Sequence, residues 1–98
     1  MRESLNEPVS VIFCYDSKKQ KSYPYQLSWQ NQEYRLGKVD FYHKTKHGFE
    51  IIHHYSVADK SGVCYFKLAL NGTTLQWVLE EYMPASEMRV HYGAWEGA

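Results

Sequence analysis

Most of the usual carriers of chemistry are scarce or missing in this chain. It has two cysteines in 98 residues, Cys14 and Cys64, with no CxxC spacing. That excludes a disulfide scaffold and a thiolate zinc knuckle. Its six glycines form neither a GxGxxG run nor a Walker A loop, so no phosphate cradle is present. A GxSxG elbow is also absent, and neither cysteine sits beside a patterned base. Glu80 and Glu81 are adjacent, and adjacent strand residues point to opposite faces, so the two carboxylates cannot act as a pair. With 11 basic and 11 acidic residues the formal charge is zero, and no global field draws the chain to nucleic acid or a membrane. No apolar run approaches the roughly 20 residues of a membrane helix. The opening MRESLNEP lacks a basic stretch followed by an apolar one. The expectation is a cytoplasmic protein with reduced thiols, no cofactor and no catalytic activity.

What is abundant is aromatic and alternating. Aromatics make up 16% of the chain and nine of them are Tyr, a bias that favours strands. Val63 to Tyr82, VCYFKLALNGTTLQWVLEEY, reads as two alternating runs around Asn71-Gly72, a strong hairpin signal. A two-residue turn there sets Leu70 against Thr73, Leu68 against Leu75, Phe66 against Trp77 and Cys64 against Leu79. Upstream, Pro8 to Tyr15 alternates as a strand and DSKKQKS (16–22) is a loop. Tyr23 to Leu36 forms a hairpin turning at Asn31-Gln32, with Leu27, Trp29, Tyr34 and Leu36 on one face. Parity slips between Leu36 and Val39, which predicts a β-bulge at Gly37-Lys38. A turn at KTKHG (44–48) then sets Phe41 against Ile51 and Val39 against His53, and one at DKSG (59–62) sets Val57 against Cys64. The pattern predicts an all-β, about six-stranded antiparallel meander, a strongly curved sheet or small open barrel. Residues 1–7 are read as a flexible N-terminus, 8–83 as one β domain and 84–98 as a tail with a short edge strand.

Function is expected on surfaces. In that register His54, Lys67 and Gln76 form one polar row on the outer face, with Tyr65 in the next. Such a face suits a protein or peptide partner, as does an edge strand at Pro8 to Tyr15, which also predicts a homodimer. The alternative is single-stranded nucleic acid, stacking on Tyr65 and meeting Lys67, His54 and the loop lysines Lys18, Lys19 and Lys21. A second alternative is a metal held by His43 and His53, which share a face in this register; no third ligand is patterned beside them, so no metal is assigned.

Pro24-Tyr25-Gln26-Leu27-Ser28-Trp29, Glu33-Tyr34, His54-Tyr55-Ser56-Val57 and Leu75-Gln76-Trp77-Val78-Leu79-Glu80-Glu81 resemble a family of small bacterial β-domains of unknown function. In these a W-x-x-x-x-Y hairpin precedes an aromatic meander ending in W-x-L-E. The resemblance runs roughly from Tyr23 to Tyr82 and rests on core-pattern residues. It brings no activity, cofactor or site residue with it.

Overall fold

The computed structural model describes residues 3–84. They form six strands: β1 (Glu3–Asp16), β2 (Lys21–Trp29), β3 (Gln32–His47), β4 (Glu50–Asp59), β5 (Cys64–Asn71) and β6 (Trp77–Pro84). Each pairs antiparallel with the next, and β1 also pairs with β6, so the curved sheet closes on itself as a barrel. The expected tail strand lies outside the described residues. Residues 3–7, expected to be loose, are the first part of β1.

Closure depends on two long strands that each serve two partners. Glu3 to Val9 pairs with β6, and Ser10 to Asp16 pairs with β2. A bulge at Leu5-Asn6 bends the first half, with Asn6 in the left-handed region at φ 50°, which Asn tolerates better than most residues. Along Pro8 to Tyr15 the pairing is one-sided, with β6 at Pro8-Val9 and with β2 from Ser10 onwards. Similarly, β3 pairs with β2 only from Gln32 to Arg35, then with β4 from Leu36 to His47. The predicted bulge at Gly37-Lys38 is there, between the pairs Leu36–Asp59 and Val39–Val57.

Turn positions differ from the expected ones, with unequal consequences. The β2–β3 turn is Gln30-Asn31, both left-handed (φ 52° and 60°), as a two-residue primed turn requires. Leu27 then faces Tyr34 and Trp29 faces Gln32. In β4–β5, Val57 faces Phe66 and Tyr55 faces Leu68. Both registers move by two residues, and because strand faces repeat every two, the core sets survive. The β3–β4 turn is Gly48-Phe49, with Gly48 at φ 61° and β3 running on to His47. There a second bulge, between Val39 and Phe41, flips the parity. Tyr42 turns inward opposite Tyr55, while Phe41 is 51% exposed.

Asn71-Gly72 is not a two-residue turn. Asn71 Oδ1 accepts the backbone N–H groups of Thr73 (2.8 Å) and Thr74 (3.1 Å), and its carbonyl accepts that of Leu75 (2.8 Å). This Asx-type nest makes a wider loop with Leu75 at φ 63°, exposed rather than opposite Leu68. Leu70 faces Trp77 and Leu68 faces Leu79; an extra residue at Glu80 then brings Tyr82 opposite Phe66. Gly72 matters for close approach: its N–H donates to Ile51 O at 2.8 Å, and an added Cβ would lie 3.1 Å from that oxygen. The β4–β5 loop is tied by Asp59, whose carboxylate accepts from Ser61 Oγ and the backbone N–H groups of Val63 and Cys64. Burial pushes the Asp59 carboxyl up, but these hydrogen bonds outweigh it and hold it below its ordinary value.

Inside the barrel Leu27, Val57, Phe66, Leu68 and Leu79 are fully buried. Phe66 is the hub, with ring centroids 6.4 Å from Trp29, 5.1 Å from Tyr34 and 5.8 Å from Tyr82. These edge-on and tilted contacts each add to the burial itself. Phe66→Ala is expected to lower the unfolding free energy by about 3–5 kcal/mol, read from the urea midpoint with unchanged slope. In a chain this size, with a total stability of about 5–15 kcal/mol, that brings the protein close to unfolding.

Candidate functional site

A cleft opens where β2 and β3 part. Their last paired rung is Gln26–Arg35, and the reasons they separate are local. The extra residue Tyr25 bulges β2, and Pro24, next in the strand, has no N–H to donate. On the other side the Gly37-Lys38 bulge turns β3 towards β4. Arg35 caps the junction with its guanidinium carbon 4.1 Å from the Tyr25 ring centroid. Beyond this point, among the described residues, no strand pairs with the edge of β2 from Lys21 to Tyr25 that faces β3, nor with the facing edge of β3.

The space between has a volume of ≈ 1070 Å³. That lies at the upper end of ligand pockets, which run to about 1000 Å³. Its walls are Lys21, Tyr23 and Tyr25 on one side and Gly37, Lys38 and Tyr42 on the other; its floor is Phe13, His53, Tyr55 and Leu70. The floor is a relay of rings: Tyr42 lies 5.1 Å from Tyr55, Tyr55 5.7 Å from Trp77, and Trp77 5.4 Å from Phe13. Burial, then the neighbouring Tyr42, raise the phenol pKa of Tyr55 above its ordinary value, so this hydroxyl keeps its proton at neutral pH. Tyr42 Oη lies 2.7 Å from His53 Nδ1, and the two rings stack at 20°.

The rim is basic. Lys19, Lys21 and Lys38 line the cleft alongside one carboxylate, Asp16. Asp16 Oδ1 is already engaged with the backbone N–H groups of Lys18 and Lys19. Lys44 pairs across from His53 and Lys46 from Ile51, so both sit on the same face of the β3–β4 hairpin as Tyr42 and Tyr55. A chain with zero formal charge thus concentrates lysines at one end of the barrel.

The expected outer-face row does not assemble. His54 lies opposite Ala69, which lies opposite Val78; Lys67 lies between Ser56 and Glu81; Gln76 is in the β5–β6 loop. Small register offsets in two hairpins separate residues that a tighter pairing aligned. Tyr65 is buried, and its hydroxyl donates to Asp40 Oδ2 at 2.8 Å, so its ring offers no stacking platform. Lys67 Nζ is 3.8 Å from Glu81 Oε1. His54 is held at both nitrogens, Nδ1 by Glu80 Oε1 at 3.0 Å and Nε2 by Thr45 Oγ1 at 2.7 Å. Because the carboxylate can only accept, Nδ1 carries the proton. His43 stacks on His54 at 4.5 Å and 5°.

That stacking corrects the metal alternative. The second bulge in β3 places His43 on the outer face with His54, whereas His53 faces the cleft, so His43 and His53 lie on opposite sides of the sheet. Among the described residues no three His, Cys, Asp or Glu side chains converge on a metal-sized site. Of the loop lysines, Lys19 and Lys21 reach the cleft and Lys18 stays in the exposed turn. Sequence reasoning missed Phe13, Tyr25, Lys38, Tyr42 and His53 as a group. The signal that marks them is Pro24, a proline inside an alternating strand run, which argues for an unpaired strand edge there.

No family model, no curated protein and no solved structure matches the chain. No helix among the described residues is long and apolar enough to cross a membrane.

Tyr65 offers a check on the outer face. Burial, then the hydrogen bond to Asp40 and its charge, raise the Tyr65 pKa well above the ordinary tyrosine value. A raised folded pKa means that its contribution is complete below pH ~10 and is lost as pH rises towards the folded value. Tyr65→Phe is expected to cost about 1–2 kcal/mol at neutral pH and to flatten the fall in stability above pH ~10. Urea unfolding at several pH values measures both.

Proposed function

We propose that this protein is a non-catalytic binding module that takes an extended segment of a protein partner into the cleft between β2 and β3. The observation that carries this reading is the parting of the two strands beyond Gln26–Arg35, which leaves facing edges above an aromatic floor. Unpaired strand edges offer rows of N–H and C=O groups, and a strand added between them satisfies both rows at once. The floor then receives alternate side chains of the guest and supplies apolar burial. A cytoplasmic setting fits the two free thiols, Cys14 and buried Cys64.

Selection of random displayed peptides on the full chain, followed by hydrogen exchange of the complexes, tests this directly. The expected outcome is protection of amides in Lys21–Tyr25 and Lys38–Lys44. Binders that protect only the outer face of β4–β6, or a selection that returns none, remove the reading.

A second reading is single-stranded nucleic acid, favoured by the lysines Lys19, Lys21 and Lys38 around the exposed ring of Tyr42 and the half-buried rings of Tyr23 and Tyr25. It leaves the strand edges unused, which ranks it second. Phosphate contacts release counterions, so oligothymidylate binding through about three lysines is expected to fall with salt at a log–log slope of roughly −2. Affinity that ignores salt excludes it.

A further inference from the structure

We infer that the segment accepted by the cleft is acidic and alternating, with Asp or Glu at every second position and apolar or aromatic residues between. This rests on the reading that the cleft receives an extended chain. A strand seated there presents successive side chains to opposite sides. One set meets Phe13, Tyr42, Tyr55 and Leu70, which offer rings and methyl groups, beside a single imidazole, His53, held by Tyr42 Oη. Apolar side chains gain most over those rings. The other set points to the rim, where Lys21 lies on the β2 wall and Lys38 on the β3 wall, with Lys19 at the end of the β1–β2 hairpin. The lining has one carboxylate, Asp16, and its Oδ1 is occupied by two backbone N–H groups. A guest with lysines at the outward positions places like charges beside like and is rejected; one with carboxylates is drawn in and paired.

The test compares the capped heptapeptide Glu-Val-Glu-Phe-Glu-Val-Glu with its Lys-for-Glu counterpart on the full chain, by calorimetry at low and high salt with hydrogen exchange of each complex. The acidic peptide is expected to bind about tenfold or more tightly at low salt, the sum of several exposed charge pairs. The preference narrows as salt rises. Lys21→Glu with Lys38→Glu, both exposed positions, is expected to reverse the order while the exchange pattern of the rest of the barrel stays unchanged. Equal binding of the two peptides with protection of Lys21–Tyr25 overturns the acidic inference and leaves the cleft reading standing. Failure of both peptides, with no protection at either edge, overturns the inference; the peptide selection described above then decides whether the cleft reading falls too. An acidic peptide methylated on alternate backbone nitrogens that binds undiminished overturns strand addition. Oligothymidylate that binds the same edges while neither peptide does overturns it in favour of nucleic acid.

Discussion

The whole architecture depends on backbone hydrogen bonding around a ring in which two strands are too long for any one neighbour. β1 divides its length between β6 and β2, and β3 between β2 and β4. A sheet edge left open costs unsatisfied N–H and C=O groups and invites foreign pairing. Closing the ring removes that cost over most of the circumference. Bulges make it possible, because each inserts one residue, sharpens the twist and lets a strand leave one partner for the next.

Those same bulges decide what the interior can do. Phe66 and its ring neighbours fill the closed end, where β2, β5 and β6 converge and little besides aromatic and aliphatic carbon is present. Such packing supplies stability and excludes ligands. At the other end Tyr25 and Gly37-Lys38 send β2 and β3 apart, and the aromatic lining continues without being filled. The cleft is a continuation of the core exposed by a failure of pairing. Its floor is therefore mostly rings and aliphatic carbon, with His53 held by Tyr42, and lysines stand on the rim.

Electrostatics add direction where composition shows none. Equal numbers of acids and bases cancel in sum, yet lysines cluster at the cleft while Glu7, Glu80 and Asp59 are tied to Trp29, His54 and the β4–β5 loop. A carboxylate already accepting hydrogen bonds contributes less to recognition than an exposed ammonium on a rim. Local asymmetry of this kind governs which partner approaches, even at zero net charge.

The strands, their antiparallel order, the inward sets Leu27, Trp29, Tyr34, Leu36 and Val57, Phe66, Leu68, and the Gly37-Lys38 bulge were all legible in the sequence. Alternation has a period of two, and turn errors of one residue at each end shift the register by two, so they leave faces intact. The row of His54, Lys67 and Gln76 was not recoverable, because a row across three strands needs each register to be right and not merely of the right parity. Nor was the separation of His43 from His53, since one unpatterned bulge between Val39 and Phe41 reverses every side chain beyond it. The opening of the cleft had a trace in Pro24, but a missing N–H shows only that a partner is unnecessary, not what stands in its place. By itself the sequence determined which residues avoid water and that they form strands, because those are local properties of each run. Only the tertiary structure decided where β1 closes the ring and where β2 and β3 part, because pairing between distant strands depends on the bend accumulated at every bulge between them.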